Sequence, residues 1–153
     1  MDAAARQAAL DRLDVLVGEW VVEAEFPGLE APPGRSVFEW TLGRQYLAQR
    51  TEAPDPAPDA MAIIVVDPET GGYTQHYYDS RGVVRLYAMT FDDGVWQLLR
   101  EKPDFSPLSF RQRYVGHLSA DGDTIRGAWE TAKDETGPYV RDFVLNYRRS
   151  GRS

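Results

Sequence analysis

Few side chains in this sequence could do chemistry. Histidine occurs only at His76 and His117, and cysteine is absent. Without cysteine there are no disulfides, thiolate zinc sites, iron–sulfur ligation or cysteine nucleophiles. Two histidines far apart, with no H-E-x-x-H, do not make a histidine-rich metal site, so no metal is expected. Ser80 and Ser109 stand outside any G-x-S-x-G, which leaves a nucleophile elbow unsupported. Asp121-Gly122-Asp123 opens like a calcium loop but lacks the later ligands and the closing Glu, so it reads as a turn. Gly71-Gly72 opens no helix and is a poor phosphate cradle. No carboxylate pair presents itself as an acid/base dyad. His76 is the one candidate general base, with an unperturbed pKa of ~6.5, and no catalytic residue is assigned.

The chemistry that remains is binding chemistry, carried by arginines set among aromatics. The chain has 4 Trp, 8 Tyr and 6 Phe, residues that favour strands and bury large areas. The elements that position them read as follows. Asp2 caps an alanine-rich helical segment, 1–17, with Leu10, Leu13, Leu16 and Val17 on one face, as a plug for the rest of the fold. From Gly18 the texture changes to short strands separated by turn signals such as Pro27-Gly28, Asp93-Gly94 and Asp121-Gly122. About ten strands are expected over 18–149. Ten strands in an open sheet would expose two edges, and few lysines are present to guard them, so a closed antiparallel β-barrel is expected. The 153 residues suit one domain, 1–153.

Hairpin registers sort the faces. A tight turn at Asp121-Gly122 sets Leu118 opposite Ile125, Gly116 opposite Gly127 and Tyr114 opposite Trp129, an apolar inner face. The other face carries His117 and the cross-strand pair Arg113/Glu130, and should be wet. A turn at Asp93-Gly94 sets Phe91 opposite Trp96, Met89 opposite Leu98 and Tyr87 opposite Arg100, again inward, with Arg85 on the same face. A two-residue turn at Arg81-Gly82 extends this face to Tyr78, His76 and Thr74, whereas a three-residue turn would flip the parity. The predicted ligand-binding set is His76, Tyr78, Arg85, Tyr87, Met89, Trp96, Arg100, Tyr114 and Trp129. Interior arginines need acidic or carbonyl partners, or a ligand and water, because desolvating a charge costs several kcal/mol. Arg100, near a strand end, can also reach solvent.

The charge balance, 17 Lys+Arg against 24 Asp+Glu, gives a net charge of −7. It argues against a nucleic-acid partner, whose binding rests on clustered basic residues. No apolar run approaches the ~18 residues of a membrane span, and the N-terminus lacks the basic and apolar regions of a signal peptide. A cytoplasmic location without membrane partners is expected. A homodimer is left open.

The stretch Leu16-Val17-Gly18-Glu19-Trp20, directly after the helix, resembles the G-x-W signature of lipocalin-like, or calycin, barrels. In those families the tryptophan packs at the closed end, often against an Arg of the last strand, which here implies Arg148 or Arg149. Together with Asp79-Ser80-Arg81-Gly82-Val83, Asp121-Gly122-x-x-Ile125-x-Gly127-x-Trp129-Glu130 and Asp142-Phe143, the stretch is similar to an uncharacterised bacterial calycin-like family, a domain of unknown function. The resemblance implies a calycin-like barrel and transfers no activity. The nitrobindin branch holds haem through a histidine near its C-terminus. No histidine follows His117 here, so no cofactor is expected. The fatty-acid-binding branch holds carboxylates with interior Arg and Tyr, a logic that Arg85 and Tyr87 match chemically. The leading expectation is a barrel that binds a small, largely apolar, anionic molecule through Arg85, Arg100 and His76. One alternative is an enzyme using His76 with Tyr78 or Tyr87 on a carbonyl or phenolic compound. The other is a filled core that serves association.

Overall fold

A helix followed by a closed antiparallel barrel forms the computed structural model, which describes residues 1–105, 107–134 and 136–151. Helix α1 (Ala3–Arg12) starts at Asp2, whose carboxylate accepts a 2.7 Å hydrogen bond from the Ala5 N–H. This satisfies one of the amide donors that a helix start leaves open. A 3-10 turn, Leu13–Leu16, continues it. Leu10, Leu13 and Leu16 are all buried, so the helical segment plugs one end of the barrel as its apolar face predicts. The Tyr73 hydroxyl fastens it by donating to the Ala9 carbonyl at 2.6 Å.

The strands are β1 (Gly18–Phe26), β2 (Leu29–Glu30), β3 (Gly34–Thr41), β4 (Tyr46–Glu52), β5 (Ala60–Val66) and β6 (Tyr73–Asp79). They continue as β7 (Val84–Asp92), β8 (Val95–Arg100), β9 (Arg111–Leu118), β10 (Thr124–Ala132) and β11 (Val140–Gly151). From β3 onward each strand pairs with the next, and β1 pairs with both β3 and β11. Ten strands thus close a ring, with the two-residue β2 added at the tip of β1. Closure removes the open edges that an acidic, lysine-poor sheet could not guard. Up-and-down connectivity puts the helix and the turns at 42–45, 67–72, 93–94 and 119–123 at one end. The longer connections at 27–33, 53–59, 101–105 with 107–110, and 133–134 with 136–139 lie at the other, the mouth. Among the described residues no helix is long and apolar enough to cross a membrane.

Trp20 anchors the closed end. It is 0% exposed, and its indole N–H donates to the Leu16 carbonyl at 2.9 Å. Of the two arginines implied as its partner, Arg149 takes the role. Its guanidinium lies 4.1 Å from the Trp20 ring centroid and donates to the carbonyls of Val17 (2.7 Å), Val15 (2.5 Å) and Gly122 (3.0 Å). Arg148 points outward to Glu23. Tyr147, Trp96, Phe38 and Tyr114 pack edge-on or tilted beside Trp20, with ring centroids 5.3–6.4 Å apart. The paired glycines Gly116 and Gly127 make room for Tyr114. A Cβ on Gly116 would come within 2.8 Å of the Tyr114 ring, and one on Gly127 would overlap its hydroxyl.

Trp20→Ala removes the largest group of this layer and should destabilise the protein by roughly 3–5 kcal/mol, as large core truncations do. Denaturant unfolding checks this. A loss under about 1 kcal/mol, close to the range of surface substitutions, would show that Trp20 is no anchor.

Candidate functional site

Above the aromatic layer the barrel is hollow. A cavity of about 780 Å³ opens toward the mouth. Trp96, Leu98 and Tyr147 lie at its closed-end side, and Gln49, Ala62, Gln75, Tyr77, Tyr87 and Trp129 line its walls. Phe26, Leu29, Phe110, Phe143 and the proline-rich stretch Pro54–Pro58 surround the opening. Three carboxylates, Glu30, Asp55 and Asp142, also stand on the lining, with Arg81. The volume is in the usual range for small-molecule sites, ~300–1,000 Å³.

Arg85, on β7, is a charged group of the inner wall with no ion-pair partner among the described residues. Its Nη1 donates to Gln112 Oε1 at 3.0 Å, and its guanidinium sits 5.6 Å from the Phe110 ring. The Tyr87 hydroxyl donates to the same Gln112 oxygen at 3.2 Å. Burial pushes the Tyr87 phenol above its ordinary pKa, and the nearby Arg85 charge only partly opposes this, so Tyr87 stays a neutral donor. No carboxylate among the described residues pairs with Arg85. A guanidinium held by one amide oxygen and an aromatic face keeps further N–H donors for an incoming acceptor.

Arg100 is different. It forms a two-pronged ion pair with Asp104, at 2.8 and 3.0 Å, with both side chains 2% exposed. Asp104 also accepts from the Leu86 N–H at 3.1 Å, so the pair pins residues 101–105 to β7. The expected route to solvent is therefore not taken, and Arg100 does not line the cavity.

The β6–β7 turn corrects part of the predicted site. Asp79 N–H donates to the Val83 carbonyl at 3.1 Å, which leaves Ser80, Arg81 and Gly82 as a three-residue turn. Gly82 takes φ +82°, the left-handed closing position of such loops. The Asp79 carboxylate accepts from the Arg81 N–H at 2.9 Å, from the Arg81 guanidinium and from the Tyr77 hydroxyl. The odd count flips the parity. His76 stands opposite Leu86 and Tyr78 opposite Val84, on the outer face with Thr74, and Tyr78 is 38% exposed. Tyr73, Gln75 and Tyr77 point inward instead. His76 and Tyr78 therefore share no cavity with Tyr87, and the proton-transfer constellation expected for an enzyme is not assembled.

Of the predicted residues, Arg85, Tyr87, Trp96 and Trp129 come together on the cavity wall. Met89 and Tyr114 are inside but packed into the core, with the Tyr114 hydroxyl donating to the Leu145 carbonyl at 3.0 Å. His117 is exposed, as its register predicts, and the wet face carries the Arg113–Glu130 pair at 3.1 Å. Sequence reasoning missed Gln75, Tyr77, Gln49, Gln112 and Tyr147. Gln112 was within reach, being two residues before Tyr114 on the same face. Gln49 and Tyr147 form an internal polar group with Ser36 and Thr51: Gln49 donates to Ser36 at 3.0 Å and to the Tyr147 hydroxyl at 3.3 Å. Burial raises the Tyr147 phenol to about 12 despite the Gln49 donor. No group of three or more potential metal-ligating side chains occurs among the described residues, and no histidine lines the cavity.

No family model and no curated protein matches the chain. Among solved structures it is similar to the crystal structure of Rv2717c from M. tuberculosis, with a TM-score of 0.56 and 17% sequence identity over 93% of this chain and 97% of that one. At that identity the likeness speaks to the fold.

The Asp79 turn sets which face of β6 meets the cavity, and its charge can be tested. Burial favours the neutral acid, but the Arg81 and Tyr77 hydrogen bonds outweigh it and hold Asp79 at about 2, below its ordinary 3.8. A depressed carboxyl stabilises the fold fully above the unfolded value and loses that contribution as pH falls through the folded one. Between pH 5 and pH 2 the wild type should lose about 1–2 kcal/mol more than Asp79→Asn, a figure discounted because Arg81 is solvent-exposed. Parallel unfolding curves for the two proteins across this window would show that the turn does not use the charge.

Proposed function

We propose that the chain is a calycin-like carrier or sensor barrel that binds a small, largely apolar molecule bearing an anionic group. The observation that carries this reading is Arg85, a guanidinium with no counter-ion among the described residues, in an aromatic-lined cavity of about 780 Å³. Burying an arginine beside apolar surface is costly unless something compensates the charge. Gln112 and Phe110 orient the group and do not neutralise it. A carboxylate entering from the mouth would accept two parallel hydrogen bonds from the guanidinium, while its apolar body lies against Tyr87, Trp129 and Leu145. The packing of Trp20 under the Arg149 guanidinium, after a short helix, supports the calycin comparison. A cysteine-free chain supports a cytoplasmic setting, and a net charge of −7 speaks against a nucleic-acid partner. The open cavity disfavours a filled core that serves only association.

Anilinonaphthalene sulfonate, an apolar anion, is a direct probe. Arg85→Met keeps most of the volume and deletes the charge. It should weaken binding of the probe roughly 10- to 100-fold, the worth of a charge-assisted hydrogen-bond pair. Stability should change by less than about 1 kcal/mol, because no buried carboxylate is stranded. Unchanged affinity together with a large loss of stability would make Arg85 structural and end the anionic-ligand reading.

A further inference from the structure

Two buried polar groups on the cavity wall have no hydrogen-bonding partner among the described residues. Gln75 is 4% exposed and its Oε1 is unbonded. Trp96 is 2% exposed and its indole N–H is unbonded. Among the described residues these are the buried side-chain polar atoms left in this condition, and both side chains line the cavity. Other interior polar groups are paired: Trp20 to Leu16, Tyr73 to Ala9, Tyr114 to Leu145 and Gln49 to Ser36. Folded proteins rarely leave a buried donor or acceptor unmade, so each such group calls for an explanation.

Strand register gives these groups an order. Arg85 pairs with Tyr77 in the row nearest the mouth, and Gln75 pairs with Tyr87 in the next inward row. Trp96 pairs with Phe91, nearer the closed end, beside Phe38 and Tyr147. A molecule anchored by its anion at Arg85 and extended inward would run past the amide and then the indole. An unsubstituted hydrocarbon body would bury both without partners. A hydroxyl can donate to Gln75 Oε1 or accept from Trp96 Nε1, so hydroxyls on the body answer both needs.

We infer that the occupant is a hydroxylated carboxylic acid, its carboxylate at Arg85 and one or more hydroxyls along an apolar body facing Gln75 and Trp96. This rests on the anionic-ligand reading above and adds the polar pattern of the ligand.

Hexadecanoate can be compared by calorimetry with its monohydroxy derivatives, carrying the hydroxyl near the carboxyl, at mid-chain or at the far end. At least one derivative should bind the wild-type protein roughly tenfold more tightly than hexadecanoate itself. Gln75→Leu should abolish or reduce that preference, weakening the hydroxy acid relative to hexadecanoate, and Trp96→Phe should reduce it independently. Equal affinity for all the acids, or a preference unchanged in both variants, would mean that Gln75 and Trp96 face water alone. That result overturns the inference, and the anionic reading survives it if Arg85→Met still weakens every acid. A hydroxyl preference that persists in methyl esters, with acid affinity indifferent to Arg85→Met, would overturn the carboxylic-acid class and the anionic reading together. Failure of every acid to bind would also overturn both.

Discussion

One guanidinium holds together segments that lie at opposite ends of the chain. Arg149, near the end of β11, stacks on Trp20 of β1 and donates to the carbonyls of Val15, Val17 and Gly122. Those oxygens belong to the end of the helical segment and to the β9–β10 side of the closed end, where regular pairing stops. A buried charge must be compensated, and the Asp123 carboxylate at 3.5 Å together with charge-assisted bonds to several carbonyls does so, while satisfying acceptors that strand ladders leave open. The same contact lies where β1 and β11 meet, the pairing that turns the sheet into a ring. Lysine could not reproduce it, since one ammonium lacks the planar fork and the stacking face.

With one end closed in this way, the barrel divides into a packed half and a hollow half. Trp20, Phe38, Trp96, Tyr114 and Tyr147 fill the width above the helical plug, and the Gly116/Gly127 pair admits the Tyr114 ring where any side chain would exclude it. Toward the mouth the residues that would continue the packing are glutamines, two tyrosines and an arginine, and space opens between them. The Arg100–Asp104 pair keeps Asp104 against the wall, and the Arg100 guanidinium also reaches the Phe110 carbonyl at 3.5 Å, beside Arg85 and Gln112. Two interior arginines thus divide the labour, one neutralised to position a loop and one left facing the cavity.

How far this was legible in the sequence depended on the turns. At Asp93-Gly94 and Asp121-Gly122 the connections are even in length. There the inner rows Phe91/Trp96, Met89/Leu98, Tyr114/Trp129 and Gly116/Gly127 follow directly from alternation. At Asp79–Val83 the same procedure misplaces His76 and Tyr78, because Arg81-Gly82 closes a loop of three. The signal was present. A two-residue turn of the favoured type needs left-handed backbone at both positions, which suits Asn or Gly better than Arg, and an Asp ahead of the turn is suited to cap it. Tyr147 was less accessible, since its inward position depends on the β1–β11 closure and on the longer connection before β11, whose register no short turn fixes, whereas Gln49 follows from the short 42–45 turn that sets it opposite Phe38. Trp20 and its arginine were legible as a type of contact, and the choice of Arg149 over Arg148 followed only from which face of β11 turns inward.

The carboxylates at the mouth give the cavity a kinetic character of its own. Glu30, Asp55 and Asp142 stand where a ligand must pass, on a protein of net charge −7, while the attractive charge of Arg85 lies behind them. For an anion this is a repulsive gate in front of an attractive seat. Such an arrangement raises the barrier to passage in both directions, so it slows capture and escape together while the seat sets how tightly the molecule is held. Dissolved salt screens the gate within about 8–10 Å and leaves the half-buried seat largely untouched. Ionic strength would then govern how quickly the barrel fills, and much less how full it becomes.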